Sequence, residues 1–124
     1  MSKNKNKDST RYYSEKHENS VCRALGGTRQ PNSGAAKFSV GDVSIPLGSS
    51  KMLIECKTCM GDKDSFSIKR EWIIKNREEA KLGRYSNSAI CFNFGPSVSH
   101  SDNLYIINEQ LMAYLVSKLT EENF

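Results

Sequence analysis

The chain has 124 residues, of which 37% are hydrophobic and 26% are charged, which is typical of one globular domain. No apolar run approaches the roughly 18 residues that a membrane-spanning helix requires, and the basic start MSKNKNK lacks the apolar segment of a secretion signal. We therefore expect a single cytoplasmic domain over residues 10–124, in the host cytoplasm if the protein is viral. Residues 1–9 are expected to form a flexible basic tail.

The formal net charge of +4 is unevenly distributed along the chain. Residues 1–99 contain 17 Lys and Arg against 10 Asp and Glu, whereas residues 100–124 contain one basic residue against four acidic ones. An excess of this kind suits a surface that binds a polyanion such as nucleic acid. Taken alone, an excess of this size favours a merely solubilising surface, so charge does not decide between the two interpretations.

The first half of the chain predicts one helix, a loop and two strands. Their ranges are residues 10–25, 28–39, 41–46 and 51–57. The pair Gly26-Gly27 ends the helix, and the loop is rich in Pro, Asn, Ser and Gly. The short interval between the two strands favours an antiparallel hairpin.

The second half predicts a helix with Ser67 as its N-cap, two further strands and a last helix. Their ranges are residues 67–82, 89–94, 104–107 and 108–119. Gly83 and the pair Gly95-Pro96 act as breakers after the first two of these elements. The order α-β-β-α-β-β-α predicts an α/β fold with a central mixed β-sheet flanked by α-helices.

Four cysteines stand at positions 22, 56, 59 and 91. Because they fall within predicted helix and strands of a chain without a secretion signal, we expect reduced thiols. Cys56 and Cys59 form a CxxC pair, which can supply half of a zinc site. The remaining cysteines and histidines show no second closely spaced pair, so a zinc-binding adaptor is the most distant alternative for function.

Glu18 lies three, four and seven residues before the apolar residues of the first helix, Val21, Cys22 and Leu25. This spacing places its carboxylate within the apolar stripe. A buried carboxylate needs a cation or a strong donor beside it. An ordinary salt bridge to Arg or Lys and coordination of a metal ion both meet that need.

The predicted hairpin carries a second set of charges. Strand alternation sends Glu55 and Lys57 to one face and turns Cys56 into the core as a small buried residue. If the hairpin forms, Asp42 on the preceding strand comes near Glu55. Two carboxylates and an ammonium group would then share one small region, although Glu55 and Lys57 alone can also be a surface ion pair.

Other basic and polar residues are candidates for contacts to phosphate. Lys69 falls in the first turn of the second predicted helix, on the face that carries Trp72. A cation there is unfavourable for the helix dipole unless an anion lies nearby, or the side chain extends past Trp72 to water. Ser33 and Lys37 either contact phosphates or are simply solvated.

The hairpin acids suit one particular chemistry. Carboxylate oxygens are the ligands of Mg²⁺ or Mn²⁺, which keep open positions for water and phosphate oxygens. Such a metal polarises a phosphodiester and lowers the pKa of a bound water. Lys57 on the same strand face can orient that water or stabilise charge on the phosphate.

The arrangement of Asp42, twelve intervening residues and Glu55-Cys56-Lys57 resembles the PD-(D/E)XK nuclease superfamily. Within it, the chain is most similar to archaeal-type Holliday junction resolvases and related small phage endonucleases. The resemblance runs from about residue 11 to residue 95 and includes the helical Glu18. It implies a restriction-endonuclease-like core with the order α-β-β-β-α-β. Gly41 replaces the Pro of the family motif, and Cys56 replaces the more usual aliphatic residue.

The resemblance also implies an activity and a set of roles. Asp42, Glu55 and the backbone carbonyl of Cys56 would bind Mg²⁺ or Mn²⁺, with Glu18 completing the metal shell directly or through water. Lys57 would be catalytic, and Lys69 stands where such nucleases often carry a polar helper. The implied protein is a homodimeric, Mg²⁺-dependent endonuclease that cuts branched DNA. The alternatives are nicking or restriction-type cleavage on the same fold, and a DNA-binding module that does not cut.

Overall fold

A computed structural model of the chain describes residues 10–30, 42–61, 64–95 and 102–122. These ranges contain three helices and five strands in the order α-β-β-β-α-β-β-α. The helices are α1 (Thr10–Leu25), α2 (Arg70–Leu82) and α3 (Glu109–Glu121). The strands are β1 (Thr28–Arg29), β2 (Val43–Leu47), β3 (Ser50–Thr58), β4 (Asn87–Asn93) and β5 (Leu104–Ile106).

The five strands form one mixed sheet in the order β1-β2-β3-β4-β5. Neighbouring strands are antiparallel except β3 and β4, which run parallel because α2 carries the chain back across the sheet between them. The expected α/β fold, a central mixed sheet flanked by helices, is confirmed. No helix in the described ranges is both long enough and apolar enough to cross a membrane.

The side chains of β3 divide between the two faces of the sheet. Ile54, together with Met52 and Cys56, packs on the face that α1 covers, in a core that includes Val21 and Val43. Glu55 and Lys57 lie on the opposite face, beside α2. Because side chains alternate along a strand, the buried apolar half of β3 fixes the direction in which its charged half points.

The β2–β3 hairpin differs only slightly from the sequence expectation. Its strands begin and end within two residues of the predicted ranges, and Gly48-Ser49 forms the two-residue turn between them. Gly48 has a φ of +62°, in the left-handed region where glycine carries no steric penalty. The tight turn therefore sets the register that runs from Leu47↔Ser50 to Val43↔Ile54.

Two expectations for the elements were wrong. The sequence predicts a loop at Thr28 and Arg29, but these residues form β1 by pairing with Ser44 and Val43. Ser67 is not an N-cap, because α2 begins at Arg70 and Lys69 occupies the cap without a side-chain hydrogen bond. The aromatic ring of the residue before Ser67, Phe66, stacks on Phe92 with centroids 5.4 Å apart. Phe66 belongs to residues 64–69, which precede α2 and are not helical.

Several predictions fall on parts of the chain outside the described residues. They are the basic tail over residues 1–9, Gly41 and most of the predicted loop, with Ser33 and Lys37. Pro96 also lies outside the described ranges.

The last helix lies apart from the core. None of the residues of α3 is buried, although Leu111 is half-buried. Four of its exposed apolar residues are spaced three, four and seven apart, as on one side of a helix. They are Met112, Leu115, Val116 and Leu119, called here the α3 stripe.

Candidate active site

The hairpin places Asp42 beside Glu55. The backbone N–H of Asp42 donates to the carbonyl of Ile54 at 3.1 Å, one position beyond the Val43↔Ile54 pair of the register. The carboxylate oxygen Oδ2 of Asp42 accepts the backbone N–H of Cys56 at 2.8 Å. Asp42 is therefore held directly before β2, opposite Glu55, as the predicted hairpin requires.

Lys57 completes this group on the same face of β3. Its Nζ lies 3.5 Å from Oε2 of Glu55, and the two side chains are 27% and 18% exposed. The same Nζ lies 4.5 Å from the centroid of the Trp72 ring on α2. The ammonium group is thus held between a carboxylate and an aromatic face, both of which favour a cation.

Burial and mutual repulsion weaken the acidity of the two hairpin carboxyls. Burial, followed by the charge of Asp42, raises the pKa of Glu55 to about 7, against the opposing effect of Lys57. Burial also raises the pKa of Asp42, while the hydrogen bond from Cys56 and the charge of Lys57 act in the opposite direction. The pair therefore resists carrying two negative charges at once, which a bound cation would relieve.

Glu18, on α1, is a third carboxylate that interacts electrostatically with Asp42. Its Oε1 accepts a hydrogen bond from Nε of Arg29 on β1 at 3.0 Å. Burial and the charge of Asp42 raise the pKa of Glu18 to about 6, although Arg29 opposes the shift. The ordinary salt bridge left open by the sequence is thus present, and Glu18 also belongs to the electrostatic surroundings of Asp42.

The apolar stripe proposed for α1 was only partly correct. Val21 is fully buried, but Leu25 is 42% exposed, and the other buried positions of the helix are His17 and Ser20. The buried face is therefore rotated toward His17, and Glu18 lies at its edge rather than in its middle. The edge position explains how Glu18 can reach Arg29.

A buried polar network lies behind the hairpin acids. His17 is fully buried, with Nδ1 2.9 Å from Oγ1 of Thr58 and Nε2 3.3 Å from Sγ of Cys91. A hydrogen bond with Cys56, supported by His17, lowers the pKa of Cys91 to about 6. Cys56 is therefore more than the small hydrophobe expected, since its thiol takes part in this network. All four cysteines are free thiols.

The face of Glu55 and Lys57 opens into a pocket between β3 and α2, with a volume of about 330 Å³. It is called here the β3–α2 pocket, and its lining consists of Glu55, Lys57, Glu71, Trp72, Lys75 and Asn76.

Four residues of α2 that belong to the site were not predicted from the sequence. Glu71, Lys75 and Asn76 line the pocket, and the charge of Glu79 raises the pKa of both hairpin acids. Asn76 and Glu79 follow Trp72 by four and seven residues, so helical spacing was the signal that could have identified them.

Lys69 lies at the edge of the same region. It is exposed, and its Nζ is 5.9 Å from the centroid of Trp72. Because Lys69 precedes α2 rather than lying in its first turn, the position expected from the sequence was wrong. The side chain extends past Trp72 toward solvent, which was one of the two alternatives.

The hairpin acids fit a hard divalent cation. In the described part of the chain, no three His, Cys, Asp or Glu side chains form a ready-made metal cage. Mg²⁺ does not require one, since it keeps several waters and binds through one or two carboxylates. Asp42 and Glu55 supply two neighbouring carboxylates whose pKa values are raised, first by burial and then by nearby negative charge.

Comparison of the chain with protein-family models gives no match, and comparison with curated proteins gives none either.

Proposed function

We propose that the chain is a metal-dependent DNA endonuclease that hydrolyses phosphodiester bonds, with a four-way junction as its preferred substrate. The observation that carries this proposal is the meeting of Asp42 and Glu55 on adjacent strands, with Lys57 3.5 Å from Glu55. The order from α1 to β4 is α-β-β-β-α-β, the order that the nuclease resemblance implies, and this agreement supports the proposal.

Asp42, Glu55 and the backbone carbonyl of Cys56 would hold Mg²⁺, with Mn²⁺ as a substitute. The bound ion supplies Lewis acidity toward the phosphate and acidifies a coordinated water. Asp42 is fixed for this role by the N–H of Cys56. Glu55 is kept closer to its ionised form by Lys57, which opposes the effects of burial and of Asp42.

Lys57 acts on the reacting phosphate in this proposal. Its ammonium group is close to a metal-binding carboxylate and is held against Trp72. From there it can stabilise negative charge that develops on a phosphate oxygen, or orient the attacking water. Glu18, paired with Arg29, would act through water on the Asp42 side of the metal shell.

A homodimer is part of the proposal, because a four-way junction requires two cuts. The α3 stripe offers an apolar surface for a second copy, since two such stripes can pack together about a two-fold axis. In an antiparallel pair, Lys118 near the end of one helix approaches Glu109 at the start of the other, so the charges are complementary. A groove of about 730 Å³ separates α3 from the body of the domain.

The experiment that tests the activity offers the full chain four DNA substrates of equal length. They are a four-way junction, a flap, a nicked duplex and a linear duplex, each with Mg²⁺ and with EDTA. We expect Mg²⁺-dependent cleavage that is strongest on the junction. Equal cleavage of all four retains the nuclease and removes the junction preference.

Two other outcomes would replace the proposal. Tight binding of the junction without cleavage in any metal would favour the DNA-binding module that does not cut. Stoichiometric zinc in the purified protein, without cleavage, would favour the adaptor built on Cys56 and Cys59.

A further inference from the structure

The β3–α2 pocket contains a buried donor that lacks a partner. Asn76 is only 3% exposed, and its Nδ2 has no hydrogen-bond partner among the described residues. A buried polar group left unpaired is costly, so native structures nearly always satisfy it with protein, water or ligand. Asn76 lines this pocket and also a smaller cavity of about 140 Å³ between α2 and strands β4 and β5. A ligand that reaches the amide from the β3–α2 pocket is able to accept this hydrogen bond.

An aromatic wall stands beside the unpaired donor. Trp72 lines the same pocket, and its ring is supported by Phe66 at a centroid distance of 6.1 Å. Lys57 and Lys69 both approach that ring. An aromatic face flanked by cations is the arrangement that binds single nucleic-acid strands, because bases stack on the ring while the cations attract phosphates.

The charge of the lining indicates which part of a nucleotide enters. Two carboxylates, from Glu55 and Glu71, are balanced by two ammonium groups, from Lys57 and Lys75. A balanced lining does not select a phosphate. It suits a neutral, planar group that carries hydrogen-bond acceptors, and the volume of about 330 Å³ is within the range of pockets that hold small ligands.

We propose that the β3–α2 pocket binds one unpaired nucleobase of a DNA strand. Nδ2 of Asn76 donates to an acceptor on the base edge, and Trp72 packs against the base. The placement of this base next to the cleaved phosphodiester rests on the proposed nuclease function, since Glu55 and Lys57 border the same pocket. Unpairing a base costs least where the duplex is already interrupted, so the pocket favours branched over continuous duplex DNA.

The test uses Trp72, the sole tryptophan of the chain, as a fluorescent reporter in EDTA, where cleavage does not occur. The full chain is titrated with a single-stranded oligothymidylate, with the same strand made of abasic sites, and with a continuous duplex. We expect a saturable change in fluorescence with oligothymidylate only, and binding about tenfold weaker for the abasic strand, as expected for the loss of stacking.

A variant tests the role of the buried amide. Asn76→Leu removes the unpaired donor at similar volume, so we expect unchanged or higher thermal stability with oligothymidylate binding weakened about tenfold. Asn19→Leu, at an exposed position of α1, is the matched control and leaves binding unchanged. Should Asn76→Leu fail to fold, the abasic strand still tests the pocket on the unaltered protein.

The outcomes separate the pocket from the activity. Equal binding of the abasic strand and oligothymidylate overturns the base-binding pocket, even if the chain cleaves junctions. Base-dependent fluorescence without cleavage of any substrate retains the pocket and overturns the nuclease.

Discussion

Glu55 must ionise in partly buried, acidic surroundings if it is to bind a cation. Burial and the charge of Asp42 hold its pKa at about 7, compared with an ordinary value of 4.5. Folded Glu55 therefore keeps its proton to a higher pH than unfolded Glu55. The folded state is favoured below the unfolded pKa, and this advantage is lost as the pH rises through the window from about 4.5 to 7.

Glu55→Gln should remove this pH dependence. In the absence of metal, we expect the free energy of unfolding of the unaltered chain to fall between pH 5 and pH 8, relative to the variant, by on the order of 2 kcal/mol. Urea unfolding at a series of pH values measures the difference. Glu78→Gln, at an exposed position of α2, is the control. Parallel profiles for the unaltered chain and Glu55→Gln would contradict the proposed titration.

Lys57→Ala should reduce turnover more than substrate affinity. The ammonium group is assigned to the reacting phosphate, so its loss removes an interaction that strengthens in the transition state. We expect kcat to fall by about 100-fold, while the Kd for a junction in Ca²⁺ changes by less than about threefold. Single-turnover kinetics and gel-shift titration measure the two quantities. If the variant loses only junction affinity and keeps its kcat, Lys57 is a binding residue only. Lys81→Ala, at an exposed lysine of α2, is the control.

At the scale of elements, the β2–β3 hairpin was the most predictable part of the site. Its alternating pattern and its glycine-containing turn determine which residues share a face, and these are local properties of the sequence. The strand β1 was missed because Thr28 and Arg29 carry no hydrophobic alternation. Their pairing with Ser44 and Val43 joins residues 14 to 16 positions apart, which no local pattern contains.

The start of α2 shows a similar limit. Ser67 is a favourable capping residue, and local preference therefore placed the helix terminus there. The stacking of Phe66 on Phe92 joins residues 26 positions apart, which no local pattern contains. The same limit applies to the pocket. Helical spacing from Trp72 places Asn76 on the side of α2 that faces the sheet, but no local pattern shows that its Nδ2 lacks a hydrogen-bond partner.

The N-cap of α3 gives a prediction at this scale. The side chain of Asn108 accepts the N–H of Leu111 at 2.8 Å. Because no residue of α3 is buried, the helix has little packing to compensate for a lost cap. We expect Asn108→Ala to destabilise α3 by about 1 kcal/mol and to speed amide exchange across its first turns. Asn108→Asp, which keeps an acceptor, should exchange at the original rate, and equal rates in all three proteins would contradict the prediction.

At the scale of the whole molecule, the α3 stripe determines the proposed assembly. We expect the chain to sediment as a dimer and Leu115→Glu, which adds a charge to the centre of the stripe, to sediment as a monomer. Leu82→Glu is the matched control, since Leu82 is 80% exposed and lies outside the stripe. A chain that is already monomeric at micromolar concentration would contradict the assignment of this surface.

The central claim is that Asp42 and Glu55 together enable metal-dependent hydrolysis of DNA. The most direct measurement compares cleavage and binding of a four-way junction by the unaltered chain, Asp42→Asn, Glu55→Gln and the control Glu78→Gln in Mg²⁺. We predict that both site variants lose about 100-fold or more in cleavage rate and keep their junction affinity within about threefold, while the control cleaves normally. Full cleavage by Asp42→Asn and Glu55→Gln would contradict the account.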